Sequence, residues 1–526
     1  MKKADLQEYE NTIKELRNLL ADKETEIANK TAENDELKRQ LAVLRKSLYG
    51  SRSERTKRHS SNPGQLSLFN EAELEGTEEA VAETITTTEV KAHTRKKKPS
   101  KKLDLKGLET KTVVHDIPEA ERKCPECNSS NLECIGQELL RYEVHVVPAT
   151  VEVIKHVRNI YKCLYCSNDE HTSIIKATME KPLIPHSPVT ASSMTMTILN
   201  KYQFAMPFNR QEKLWQMMGI PVSKANMSNW ILYAYRDYLK PLVELLHQEL
   251  LQESIIHADE TSVQVMKEKG RKNTTKSYMW VYSTGAFARH QIRLFQYRPG
   301  RSGDFASEYL AGFHGYLHTD AYGGYNKVGN VTHCFCYAHA RRKFLECIPA
   351  GLKNVSDTIA GRAIESINRL FEIERKAAAM EPIERKKLRK KESEEEILAL
   401  FEMLEKSLPD VPQSSAIGKA IKYMLNNEQS FKNYLEDGRC SISNNIAENS
   451  IRPFTVGRKN WILSGSPRGA EASAAMYSMI ETCLANNIDT RDYFMYIFRH
   501  MSQEDNLQDE ETLKKYLPWN IPQQET

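Results

Sequence analysis

A chain of 526 residues is long enough for two to four domains with a sizeable core. Its 74 Lys and Arg nearly balance 70 Asp and Glu, for a formal charge of +4, so any polyanion-binding surface must come from local clustering rather than from overall charge. No run of about 18 apolar residues occurs, which excludes a membrane-spanning helix, and ten cysteines over this length exclude a disulfide scaffold. A soluble protein of the reducing cytoplasm is expected.

Residues 1–50 carry a heptad pattern. With Leu6 at position a, Ile13, Leu20, Ile27, Asn34, Leu41 and Leu48 follow at sevens, while Tyr9, Leu16, Lys23, Lys30, Leu37 and Leu44 occupy d. A single Asn at an a position favours a two-stranded coil in fixed register, so the expectation is a homodimer. One long surface helix is the alternative, because Lys23 and Lys30 weaken the d seam. Residues 51–112 read as a linker: seven Glu lie between Glu71 and Glu89, and seven positive charges lie between Lys91 and Lys102. The basic run suits phosphate contact or a solvated tether equally well.

Residues 113–180 hold Cys124-Pro125-Glu126-Cys127 and Cys163-Leu164-Tyr165-Cys166, with Tyr142, Val144, Val146, Val151, Val153, Ile154 and Val157 between them. Two C-x-x-C knuckles joined by a hairpin around Pro148 are the pattern of a zinc ribbon, in which four thiolates hold one Zn²⁺ per chain. In residues 181–250 the pattern turns helical. Asn209–Met218 is expected to point Leu214 and Met218 inward, Gly219 to end that helix, and Ser223 to cap a second bearing Met227, Trp230, Ile231 and Ala234. This is helix-turn-helix shaped, and it suits either DNA reading or plain packing.

Residues 251–345 give the clearest α/β order: strands at Ile255–Asp259, Tyr278–Tyr282, Gln291–Tyr297 and Tyr316–Asp320, with a helix at Asp304–Leu310 before the last. Three strands, a helix and a strand are the order of the ribonuclease H-like fold, in which the first and fourth strands are parallel neighbours and would bring Asp259 and Asp320 together. Cys334 to Lys343 (CFCYAHARRK) reads as a packed strand-to-helix junction, with metal binding by His339 and Cys334 or Cys336 as the alternative. Residues 346–436 read as a helical insertion, strongly charged from Glu384 to Glu396. In residues 437–485 Ser443 is expected to cap a helix on which Asn444, Glu448 and Arg452 share one face, with Pro453 ending or kinking it. Taken alone, Glu448 beside Arg452 reads as a surface ion pair. Residues 486–526 form a C-terminal helical segment.

Three carboxylates in HADET, HTDAY and NNIAEN, the last followed by Arg452, Arg458, Lys459 and Trp461, suggest a Mg²⁺ or Mn²⁺ site facing nucleic acid. The chain resembles bacterial transposases of the insertion sequence 66 family, which are DDE enzymes. The likeness rests on Leu48-Tyr49-Gly50-Ser51-Arg52-Ser53-Glu54, the paired knuckles, HADET, HTDAYGGYN, CFCYAHARRKF and the run from Asn444 to Ala472. Departures are small: Tyr49 stands where Phe is usual, and Asn128 stands where Gly is usual.

The resemblance implies a ribonuclease H-like core (251–345 and 437–485) with Asp259, Asp320 and Glu448 as catalytic residues holding two metal ions. It implies cleavage and strand transfer at the terminal repeats of double-stranded DNA, small accessory proteins of the same element, and a nucleoid location. Arg341, Arg342, Lys343, Arg452, Arg458 and Lys459 would contact DNA, and Trp461 would stack on an unpaired base. Two other readings are a catalytically inactive DNA-binding derivative and a tyrosine recombinase. The intact acidic triad argues against the first, and the lack of a second Arg and a terminal Tyr in a helical frame against the second.

Overall fold

The computed structural model describes residues 112, 150–162, 174–348 and 355–522. The chain divides into a unit of residues 1–84 with 155–526 and a second unit of residues 85–154, nearly all of which lies outside the described residues. The coiled coil, most of the linker, and Cys124, Cys127, Cys163 and Cys166 also lie outside them. Residues 151–159 form no strand. The pairing in this region is antiparallel, between β1 (Ile160–Lys162) and β2 (Ile174–Lys176), later than the hairpin expected around Pro148.

Helices open the main unit. In α1 (Ala191–Tyr202) Thr190 and Ser193 form a capping box, and in α3 (Lys224–Ala234) Ser223 and Asn226 form another. Met227, Trp230, Ile231 and Ala234 of α3 are buried, as their helical spacing requires. Between them, α2 (Phe208–Met217) buries Gln211 and Trp215 instead of Leu214 and Met218. The reason is aromatic: Trp215 meets Trp230 edge to face at 6.5 Å. Gln211 follows one turn earlier, its Nε2 donating to Thr197 O (3.2 Å) and Met206 O (3.0 Å). A π turn at Tyr235–Leu239 then leads into α4 (Lys240–Leu251).

A six-stranded mixed sheet follows, in the order β5-β4-β3-β6-β7, with β8 beside the far end of β3. β3 (Ile255–Val265), β4 (Lys276–Thr284) and β5 (Arg293–Arg298) are antiparallel neighbours. After α5 (Gly303–Tyr309) the chain crosses over, so that β6 (Tyr316–Thr319) runs parallel to β3, and β7 (Thr332–Phe335) runs parallel to β6. α6 (Tyr337–Leu345) leaves β7 directly, which makes CFCYAHARRKF a packed strand-to-helix junction.

Residues 355–436 do not stand apart from this sheet. α7 (Ile359–Lys376), α8 (Pro382–Leu388), α9 (Glu394–Ser407), α10 (Ala416–Leu425) and α11 (Glu428–Lys432) build a helical layer beside β7 and α6. Ile364, Ile367, Leu370, Phe401, Leu404 and Phe431 share one apolar core with Phe335, Tyr337 and Phe344.

Two long helices complete the unit. α12 (Asn445–Trp461) has Asn444 rather than Ser443 at its N-cap, and it runs through Pro453 instead of ending there. An interior proline costs roughly 3 kcal/mol, and the continuation offsets it by burying Phe454, Thr455 and Gly457. β8 (Leu463–Ser464) pairs with β3, and α13 (Pro467–Ala485) covers the edge strand. Ser478 and Thr482 of α13 accept from the β5 amides of Phe295 (2.8 Å) and Arg293 (3.0 Å), which closes an edge that would otherwise be open to pairing. α14 (Thr490–His500) packs on α1. No helix among the described residues is long and apolar enough to cross a membrane.

Candidate active site

The register of β3 and β6 determines the site. His257 pairs with His318, and their rings stack at 4.4 Å and 17°. Both are fully buried and held neutral: burial pushes the His257 imidazole down to about 3, and His318 well below its ordinary value. Side chains two residues further on project from the same face, about 6.6 Å along the strands. On β3 that residue is Asp259, and just past the end of β6 it is Asp320.

The backbone turns at once after Asp320. Ala321 takes a left-handed φ of 65°, and the Asp320 carboxylate accepts from the Tyr322 amide at 2.8 Å. Burial first, then the charges of Glu260 and Asp320, drive the Asp259 carboxyl well above the usual carboxylate range. His339 and the Glu260 amide oppose that shift.

The third acid arrives on α12. Asn444 anchors the helix start: its Nδ2 donates to Ala258 O (2.9 Å), its Oδ1 meets His257 Nδ1 (3.1 Å), and its amide reaches Cys336 Sγ (3.1 Å). One turn later, about 6 Å along the axis, comes Glu448. At the other end Arg458 donates to Thr261 Oγ1 (3.1 Å) and to Ser262 O, so the helix lies along β3.

Glu448 is 2% exposed, with Oε1 3.2 Å from His339 Nδ1 and 4.0 Å from Cys336 Sγ. Its Oε2 is buried without a hydrogen-bond partner. The surface-pair reading fails, since Arg452 on the same helix is exposed.

Glu260 points to the opposite face. Arg301 Nε reaches its Oε1 at 2.5 Å and Tyr325 Oη donates to its Oε2 at 2.5 Å, while Arg301 also stands 3.9 Å from Asp320. Burial and Asp320 raise the Glu260 carboxyl, and Arg301 opposes them. Asp259 and Asp320, half-buried and mutually repelling, offer oxygen donors that fit a hard divalent cation such as Mg²⁺ or Mn²⁺. Glu448, with one oxygen unpartnered, has ligand atoms of Cys336 and His339 within 4.8 Å.

The sign of the pH dependence follows. With its folded pKa raised, Asp259 stabilises the metal-free fold in acid, and that contribution is lost as pH rises through the raised pKa. Mg²⁺ or Mn²⁺ binds the ionised form. Addition of 10 mM Mg²⁺, a concentration of ordinary assays, is therefore expected to raise the melting temperature by several degrees at about pH 8 and hardly at all near pH 5. A shift of equal size at both pH values would count against cation binding by these acids.

The basic residues divide in two. Arg452 and Lys459 are exposed, and Lys343 is exposed with its ammonium 4.5 Å above the Tyr423 ring. Arg341 donates to Asn368 at 2.7 Å, and both it and Arg342 are half-buried. Arg458 is committed to β3. Trp461 is half-buried, its ring 6.4 Å from Tyr202 and 6.5 Å from Tyr477. It contributes to the packing of α12 on α1 and α13.

Sequence reasoning gave no role to Glu260, Arg301 or Tyr325, while Cys336 enters it with His339 as an alternative metal ligand. Glu260 had a local signal, since it follows Asp259 on a strand. Arg301 had none, because its loop meets Glu260 only through the fold.

Taken together, these elements define a mixed α/β protein with Asp259 and Asp320 side by side on its central sheet and a buried Glu448 on the helix packed against β3. Residues 186–472, more than half of the chain, match the model described as "Transposase IS66 family", and the chain belongs to that family. Residues 121–167 match the "zinc-finger binding domain of transposase IS66", a span that includes Cys124, Cys127, Cys163 and Cys166 and supports zinc binding there. Residues 36–111 match "Transposase C of IS166 homeodomain". Among curated relatives, "Uncharacterized protein y4hP" of Sinorhizobium fredii (strain NBRC 101917 / NGR234) is 28% identical over 505 residues, covering 92% of this chain and 88% of the relative. "Uncharacterized protein y4qI" of the same organism is 27% identical over 498 residues, covering 91% and 88%.

Proposed function

We propose that this transposase binds the terminal inverted repeats of its insertion sequence and catalyses metal-dependent strand cleavage and strand transfer, with Asp259, Asp320 and Glu448 as the catalytic acids. The reading is supported by two observations: the β3–β6 register brings Asp259 beside Asp320, and the Asn444 anchor seats the helix that carries the buried Glu448 against β3. The strand order β5-β4-β3-β6-β7, with its antiparallel and parallel halves, supports a ribonuclease H-like core.

Asp259 and Asp320 would hold one Mg²⁺ or Mn²⁺, and Asp259 with Glu448 a second. When bound, the ions activate the attacking oxygen and stabilise the departing 3′ oxygen of an in-line displacement. The protein's own part is positional. His339 orients Glu448 through its Nδ1, Asn444 sets the helix against Ala258, and Arg301 holds Glu260 and screens Asp320. Arg452, Lys459 and Lys343 offer exposed positive charge to backbone phosphate. The same fold would use water for cleavage and then the freed 3′-hydroxyl for joining, with no covalent protein intermediate. Around this core the proposal places a coiled-coil homodimer, one Zn²⁺ per chain in the cysteine knuckles, DNA contact by the α2–α3 hairpin, accessory proteins of the element, and a nucleoid location in the cytoplasm.

The test is incubation of the full-length chain with labelled terminal-repeat DNA and Mg²⁺ or Mn²⁺. Nicks at the repeat ends that disappear with EDTA are expected, and nicking that persists in EDTA would refute the reading. His339→Ala is expected to slow nicking by about 10- to 100-fold, the range for partners that orient a metal ligand. His339→Gln, which keeps a polar group near Glu448, should recover part of the rate. An unchanged rate in His339→Ala would remove His339 from the positioning role.

A further inference from the structure

One register step back from the acids lies a second group of side chains able to bind metal. His318 comes from β6, Cys334 from β7 and Cys440 from the segment that leads into Asn444. One ligand atom from each lies within 4.8 Å of the others, and all three residues are essentially inaccessible. We propose that His318, Cys334 and Cys440 form a thiophilic metal site, for an ion of the Zn²⁺ class, that fastens β6 and β7 to the segment positioning α12.

Three observations carry this. The donor set is soft, two sulfurs and an imidazole, which selects zinc over the hard cations suited to the carboxylates. At Zn–S of about 2.3 Å and Zn–N of about 2.0 Å, tetrahedral ligand atoms sit roughly 3.5–3.8 Å apart, so the three need contract by no more than about 1.3 Å, with one position left for a water. Second, His318 Nε2 is buried with no hydrogen-bond partner. An orphaned ring nitrogen costs about 1–3 kcal/mol, which plain apolar packing of two cysteines would leave uncompensated and a metal bond recovers.

Third, the charges close. Two thiolates neutralise one Zn²⁺, while the nearby Arg389 guanidinium, 2.8 Å from Cys440 O, is met by Glu374 at 2.7 Å.

Zinc content of the full-length chain decides the matter, because the knuckle metal can be removed separately. Elemental analysis of the Cys163→Ser variant after exposure to Zn²⁺ and removal of free ion is expected to find about one zinc per chain. Cys163→Ser/Cys440→Ser and Cys163→Ser/His318→Asn should find none. With Co²⁺ in place of zinc, the Cys163→Ser protein should show near-ultraviolet thiolate-to-cobalt absorption that the Cys440→Ser double variant lacks. A folded Cys163→Ser chain without zinc overturns the proposal, and that outcome needs no second substitution. Recovery of Cys334 and Cys440 as a disulfide overturns it too. So does metal lost on Cys336→Ser, which would assign the ion to the Cys336, His339 and Glu448 group instead.

Discussion

Asp259→Asn and Glu448→Gln are each expected to lower the nicking rate at a terminal repeat by about a thousandfold or more, the equivalent of roughly 4 kcal/mol of transition-state stabilisation. Either change preserves side-chain shape and removes one negative oxygen from the group meant to hold the cations. The two variants should differ in a second readout. Asp259 is half-buried beside Glu260 and Asp320, and its carboxyl is held well above the normal range. Replacing it with a neutral amide relieves repulsion, so metal-free Asp259→Asn should be at least as stable as wild type near pH 8 and should lose most of the Mg²⁺-dependent rise in melting temperature. Glu448 instead faces His339 at 3.2 Å, and Gln there replaces one carboxylate oxygen of that contact with an amide, so no gain in stability is expected. Nicking by either variant at the wild-type rate would sink the assignment. Loss of nicking together with loss of cooperative unfolding would show only that the fold had failed.

Much of the layout could be read from the sequence because it is local. Strand alternation and turn residues marked the strands through Ile255, Tyr278, Gln291 and Tyr316, and Ser223 marked the start of a helix whose inward face the spacing also identified. The parallel pairing of β3 with β6 followed from element order alone. What stayed hidden depends on tertiary contact. Pro453 reads as a helix stop, and only the burial of Phe454 and Gly457 carries the helix past it. Trp461 has neighbours that its sequence does not name, since Tyr202 and Tyr477 reach its half-buried ring only through the fold. Glu448 beside Arg452 reads as a surface pair, and only the Asn444 contact with Ala258 turns it inward. The run from Glu384 to Glu396 reads only as strongly charged, yet one of its residues is the most enclosed cation among the described residues.

That residue is Arg389, whose side chain is 0% exposed. All five of its N–H groups are used: Nε and Nη2 grip Glu374 at 2.7 Å each, Nη1 donates to Tyr434 O and Asp437 O at 3.0 Å, and Nη2 also reaches Cys440 O at 2.8 Å. These acceptors tie α7 to the chain immediately before Asn444, the residue that seats α12. Arg389→Met should therefore destabilise the protein by about 3–5 kcal/mol, because it strands a half-paired carboxylate and three carbonyls in the interior. The shift would be read as a lower urea midpoint at unchanged slope. Arg389→Lys should recover little, since an ammonium cannot reproduce the planar fork. Arg389→Met/Glu374→Gln should recover part, because the abandoned charge is gone. A cost below about 1 kcal/mol for Arg389→Met would put the pair among weak surface bridges and separate the helical layer from the seating of α12. A cost in the expected range, together with slower nicking at temperatures where the variant is still folded, would show that residues far along the chain hold the third acid in place.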